Sequence, residues 1–121
     1  MARFDGQSIA VDIDSTLLIG HYDYPKTGEP NMALIECLNR FHDEGGTIVL
    51  WTLREDELLE PALEVLNEVG LKYDYINENI PERTAKWGKD PRKVATTYIM
   101  DDRCIDMLHF MKMVDFKGEE N

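Results

Sequence analysis

Four aspartates carry the densest chemistry in this sequence. Asp12 and Asp14 stand two apart in the run Ile9-Ala-Val-Asp-Ile-Asp-Ser-Thr16, and Asp101 and Asp102 are adjacent after Tyr98-Ile-Met100. Side chains two apart on an extended segment point to the same side, so Asp12 and Asp14 are expected to face one way. Two carboxylates side by side at the end of an apolar run are costly unless a cation lies between them. Four on one rim make an oxygen-rich site for a hard cation. Mg²⁺ fits best, since it takes one or two carboxylates and keeps positions for water and phosphate. A helix cap or turn needs a single acid, so paired acids in two places favour the metal reading over the capping one. The first pair is not an EF-hand loop, because its sixth position is Leu17 where Gly is needed and its twelfth is Asp23 where Glu is needed. Arg54, just past Thr52, offers a cation that either binds a second anionic group or pairs with Glu55 or Glu57. Tyr22 and Tyr24 either line a leaving-group pocket or pack their own loop.

The elements that must position these residues follow from pattern. Residues 8–13, 47–51, 72–76 and 95–100 are short apolar runs that read as buried parallel strands. Between the first two, Asn31 is a good N-cap and Leu34, Leu38 and Phe41 recur on one helical stripe, closed by Gly45 and Gly46. Residues 55–69 read as a second helix with Leu59, Leu63 and Leu66 on one stripe, and Pro61 delays or kinks its start. Residues 20–30 are a polar, turn-rich connection, and residues 77–92 a longer one with room for a short helix. The tail from Arg103 gives one more helix or turn, with a short edge strand expected at 113–116 and fraying near the end. This alternation predicts one domain over residues 1–121: a three-layer α/β/α, Rossmann-like parallel sheet with helices on both faces. Ligands in such sheets bind outside the carboxyl ends of the strands. Residues 12–16, 52–54, 77–79 and 101–103 should therefore converge.

Composition narrows the partners. The chain has 121 residues and a formal net charge of −11, which disfavours nucleic acid and anionic membranes as partners. At 43% hydrophobic and 31% charged residues it is too apolar for a disordered chain. No apolar run is long enough to span a membrane, and the first residues lack the apolar stretch of a secretory signal. Two cysteines make no disulfide framework, and Cys37 falls among apolar helical positions, as a small buried hydrophobe would. A reducing cytoplasm is the expected compartment.

Three segments resemble the motifs of the haloacid dehalogenase superfamily of phosphohydrolases. Residues Ile9 to Leu18 look like its first motif, an apolar strand followed by DxDxT. Ile48-Val-Leu-Trp-Thr52 looks like the second, and Tyr98-Ile-Met-Asp-Asp102 like the fourth. They come in the right order, each at a predicted strand end. Together with Tyr24-Pro25, Asn77-Glu-Asn79 and Asp101-Asp-Arg103, they are similar to a small capless subgroup of bacterial and phage proteins.

The resemblance implies a Mg²⁺-dependent phosphatase. Asp12 would attack phosphorus to form an aspartyl-phosphate, and Asp14 would protonate the leaving oxygen and then activate water. Mg²⁺ would be held by Asp12, the Asp14 backbone carbonyl, Asp101 and Asp102. Thr52 would donate to a phosphoryl oxygen, and Thr16 would brace the loop. It also implies a phosphate-binding lysine. Lys93 is the choice, although a fully extended 94–100 strand would carry it roughly 25 Å from the site; Lys86 and Lys89 are the alternatives. Ser15 departs from the glycine often found at its place.

The gaps after the first motif and before the fourth hold no cap domain. An open site would then be closed by the 20–30 loop, by a second copy in a homo-oligomer, or by a bulky substrate. A small phosphorylated molecule such as a nucleotide or sugar phosphate is expected. The rivals are a receiver-like phosphoacceptor or ligand-binding regulatory domain, which Asp14 argues against, and a polynucleotide 3′-phosphatase module, which the net charge argues against.

Overall fold

Four short strands share one hydrogen-bonded register that brings their carboxyl ends to a common level. A computed structural model describes residues 1–88, 93–104 and 106–115. The strands are β1 (Ser8–Val11), β4 (Thr47–Leu50), β5 (Tyr75–Ile76) and β6 (Tyr98–Met100), in the order β5-β4-β1-β6, and every neighbouring pair is parallel. Val11 lies opposite Leu50 and Met100, and Leu50 opposite Ile76. The ladder then runs one residue further: Asp12, Trp51 and Asn77 donate their backbone N–H groups to the carbonyls of Met100, Val11 and Leu50. The next residues on each strand therefore emerge side by side, which is where ligands bind in parallel sheets.

The connections are β2 (Leu18–Ile19), β3 (Glu29–Pro30) and α1 (Met32–Asp43) after β1, then α2 (Glu60–Glu68) after β4, α3 (Pro81–Trp87) after β5 and α4 (Met107–Asp115) after β6. Asn31 caps α1 by accepting the Leu34 N–H on its side chain. Right-handed crossovers put α1 and α2 on the same face of the sheet. There Ile35, Leu38, Ala62 and Leu66 pack with Val11, Ile48 and Leu50 in a buried core. The alternate strand residues Ala10 and Val49 face the other way and are equally buried.

The chain departs from its sequence pattern where side chains compete for backbone groups. β1 stops at Val11 rather than at 13 because the Ile13 carbonyl takes the N–H groups of Thr16, Leu17 and Leu18 and turns the chain. β5 is only Tyr75–Ile76, since Lys72 N–H goes to the Asn39 side chain and the Asp74 carboxylate takes the Ile48 N–H. The second helix is split into a 3₁₀ turn, Asp56–Leu58, and α2, with Pro61 in the first turn of α2 where its missing N–H costs nothing. The 20–30 connection folds back as a hairpin, β2 pairing antiparallel with β3. Gly28 is required there, because a Cβ would collide with the Ile19 carbonyl. In the tail, residues 113–115 are helical, not an edge strand, and residue 116 lies outside the described residues. The helix α4 carries Met107, Leu108 and Phe110 exposed.

Cys37 is also corrected. The buried stripe of α1 is Ile35 and Leu38, and Cys37, about 200° around the helix from Ile35, is exposed. Leu66→Ala should cost about 2–5 kcal/mol of unfolding free energy in urea titrations, whereas Cys37→Ser should change it by less than about 0.5 kcal/mol.

Candidate active site

The carboxyl ends of β1 and β6 bring three acids together. Carboxylate oxygens of Asp12, Asp101 and Asp102 all lie within 4.8 Å of one another. The Arg103 N–H donates to Asp101 Oδ1 at 2.9 Å and orients that carboxylate. Burial at the strand end, then a hydrogen bond shared with Asp102 and the charge of Asp101, push the Asp12 carboxyl from 3.8 up to about 7. The donor set is all oxygen, closely spaced and mutually repulsive, so it fits a hard divalent cation.

Asp14 does not join that cluster, which corrects the expectation that it shares a side with Asp12. The strand has ended by then, so the period of two no longer applies. Ser15 sits at φ +67°, the left-handed region that glycine occupies more easily. The turn sends the Asp14 carboxylate to Arg54, whose Nε donates to Oδ2 at 2.7 Å and whose Nη2 donates to Oδ1 at 3.0 Å. Arg54 was weighed as an anion binder or as a partner of Glu55 or Glu57. In the structure its ion-pair partner is Asp14, not Glu55 or Glu57. Its side chain is 1% exposed, and it also donates to the carbonyls of Pro25, Leu58 and Lys26. A guanidinium has five N–H donors, and the five bonds to these acceptors use them all. Hydrogen bonding to Asp14 raises the guanidinium pKa further. Tyr24 covers the guanidinium, with the ring centroid 4.8 Å from its central carbon.

Thr52 and Asn77 interlock at the ends of β4 and β5. Asn77 adopts φ +51° and its Oδ1 accepts the Thr52 N–H at 2.8 Å. Thr52 Oγ1 in turn accepts the Arg54 N–H at 3.1 Å. The hydroxyl is thus used as an acceptor and keeps its proton to donate. Thr52, Asp12, Asp14, Asp101 and Asp102 line one cavity of about 570 Å³, with Tyr22 and Tyr24 from the hairpin loop on its wall. Thr16 anchors the loop through its carbonyl, which accepts from Asn31 Nδ2 at 3.2 Å.

The lysines are placed differently. Residues 93–97 double back beside the sheet. Asn79, past the end of β5, holds the Lys93 carbonyl and the Ala95 N–H with its side chain, while Thr97 bonds to Ser8 at the start of β1. Lys93 therefore starts near the carboxyl-end rim, and the long extended strand that would have carried it away does not form. The side chains of Lys93 and Lys86 are exposed, and among the described residues neither lines the cavity. Lys89 lies outside the described residues. Two arginines line the cavity with the acids: Arg54, paired with Asp14, and Arg103, next to Asp101 and Asp102. Sequence reasoning assigned no role to Arg103 or to Asn77. Their signal was position, Asn77 one residue past β5 and Arg103 three past β6, together with the short segments of the resemblance that contain them.

No protein-family model and no curated protein matches this sequence. Among solved structures, the chain is similar to a conserved protein from Bacteroides thetaiotaomicron, with 30% identity, a TM-score of 0.67, and coverage of 91% of this chain and 90% of that one. The chain belongs to the same family as that protein. It also resembles a chain of the Pnkp1/Rnl/Hen1 complex at 16% identity and a TM-score of 0.51, covering 96% of this chain and 37% of the other. That second likeness is one of fold. Both neighbours are compatible with a haloacid dehalogenase-like fold. Among the described residues no helix is long and apolar enough to cross a membrane.

The Asp12 shift has a measurable sign. A carboxyl whose folded value lies at about 7, above its ordinary 3.8, favours the folded state while protonated. That contribution is complete below about pH 4 and is lost as pH rises through about 7. In EDTA, Asp12→Asn should therefore gain in Tm relative to the wild type between about pH 5 and pH 8, and Mg²⁺ should narrow the gap. A Tm difference that stays flat with pH would remove the repulsion assigned to Asp12.

Proposed function

We propose that this chain is a Mg²⁺-dependent phosphohydrolase of the haloacid dehalogenase type, cleaving a phosphomonoester through an aspartyl-phosphate on Asp12. The observation that supports it most is the division of the acids around one cavity: Asp12 lies in a three-carboxylate cluster and Asp14 stands apart on an arginine. Neighbouring carboxylates with different surroundings are suited to different roles. Asp12 acts as the nucleophile, its carboxylate oxygen bonding to phosphorus while the ester oxygen departs. Asp14 gives a proton to that leaving oxygen and afterwards takes one from the water that hydrolyses the acyl phosphate. Thr52 donates its hydroxyl proton to a phosphoryl oxygen. A bound divalent cation, held by Asp12, Asp101 and Asp102, supplies the positive charge that lets an anionic nucleophile approach an anionic phosphate. Arg103 adds a fixed positive charge on the same side, and Lys93 remains the lysine proposed for the phosphoryl group.

A small phosphorylated substrate fits a cavity whose outer wall is two tyrosines of a short hairpin loop. The acidity of the chain disfavours a polynucleotide. A receiver-like phosphoacceptor is the second reading, and Asp14 counts against it, because a second acid on the cavity favours turnover of the phosphoenzyme.

The purified protein with Mg²⁺ should hydrolyse members of a phosphomonoester panel that includes nucleoside monophosphates, sugar phosphates and a 3′-phosphorylated oligonucleotide. Asp12→Asn should lower kcat by about 10³-fold or more. Activity retained by that variant removes Asp12 as nucleophile, and a long-lived phosphoprotein without turnover supports the signalling reading instead.

A further inference from the structure

We infer that the cavity selects a phosphomonoester whose leaving group carries a neutral planar ring, a mononucleotide rather than a sugar phosphate. The inference rests on the phosphohydrolase reading and narrows its substrate. Three observations carry it. The first is the division of the wall. The acids suited to a cation come from the ends of β1 and β6, which sets where phosphorus would sit. Much of the remaining wall is aromatic or apolar: Tyr22 and Tyr24 from the hairpin loop, and Trp51 and Leu53 just past β4. Leu53 is 98% exposed and Tyr24 55%, so both have surface to give to a ligand. The second is that Tyr24 is braced. Its ring centroid lies 4.8 Å from the central carbon of the buried Arg54 guanidinium, and among the described residues no other ring packs on it. A ring already held in place stacks on a planar group with little further loss of freedom. The third is charge. Arg54 has every donor used, and Arg103 stands next to Asp101 and Asp102. Among the described residues no other cation lines the cavity. The aromatic side thus offers nothing to a second phosphate or carboxylate on the leaving group, and a neutral ring suits it.

The consequence can be separated from the chemistry at phosphorus. Adenosine 5′-monophosphate and ribose 5-phosphate lose the same ester oxygen from the same carbon. The bond that forms to phosphorus and the bond that breaks are therefore identical in the two. A preference between them is binding energy supplied by the base. Stacking of one base on an aromatic side chain is worth about tenfold in affinity or more.

The test reads binding without turnover. With Mg²⁺ present, calorimetry gives the Kd of adenosine 5′-monophosphate and of ribose 5-phosphate for Asp12→Asn. The same is done with Tyr22→Leu, Tyr24→Leu or Tyr24→Phe added, and folding is checked by circular dichroism. The nucleotide is expected to bind about tenfold more tightly or better. Each leucine variant should shrink that ratio by about threefold or more, whereas Tyr24→Phe keeps the ring and should keep the ratio. Equal binding of the two ligands would overturn the inference, as would a ratio that both leucine variants leave unchanged. Should the leucine variants unfold, adenosine against ribose on Asp12→Asn decides the matter, because neither carries a phosphate. Adenosine should bind there and ribose should not; equal binding would overturn the inference. Failure of the phosphohydrolase reading looks different: wild type and Asp12→Asn would then release phosphate alike from both substrates, whatever the binding ratio.

Discussion

A buried guanidinium divides the acids of this rim into two kinds. Withdrawing a cation from water costs several kcal/mol, and the cost is offset only when a carboxylate and further acceptors surround it. Arg54 meets that condition with Asp14 and three backbone carbonyls. Those carbonyls belong to segments with little regular structure of their own, so the same bonds that satisfy the cation also fix the loop from Tyr22 to Lys26 and the 3₁₀ turn before α2. Removing Asp14 from the cluster leaves Asp12, Asp101 and Asp102 facing one another with no cation among their own side chains. Partial burial, then the hydrogen bond with Asp102 and repulsion from Asp101, raise Asp12 to about 7, an unfavourable state that a divalent ion would relieve.

The parallel register makes this division possible. Because Val11, Leu50, Ile76 and Met100 are aligned across the sheet, the first polar residues beyond them meet at one level. Short contacts then hold the strand ends, one between neighbouring strands and two within a single segment. Asn77 fixes the Thr52 turn, Thr52 accepts from Arg54, and Arg103 orients Asp101. All three are contacts between a side chain and a backbone N–H, which fix functional groups directly to the backbone at the strand ends. The outer wall of the cavity carries Tyr22 and Tyr24 from the loop of the short β2–β3 hairpin.

Much of this was legible in the chain itself. Short apolar, β-branched runs ending in acid can only be buried strands whose ends reach a polar rim, and that alone gave the alternation of strands and helices and the convergence of Asp12, Thr52 and Asp101. Positions of α1 and the Asn31 cap follow from local periodicity and a local hydrogen bond. What sequence patterning missed was mostly a matter of competition. Asp74 and Asn39 take backbone groups that a longer β5 would have used, and Asn79 bends residues 93–95 away from the strand that their apolar character suggested.

The sequence by itself determined which residues meet at the rim, since strand direction and strand ends are written in local pattern. Only the tertiary structure decided what each one faces there. Asp14 is two residues from Asp12, yet its partner is forty residues away, and no periodicity reports a contact of that range. The period of two holds only while the chain stays extended, and three N–H groups converging on the Ile13 carbonyl end that state between the two acids. A two-residue difference in where a strand stops thus separates an acid suited to bind a cation from one held by an arginine.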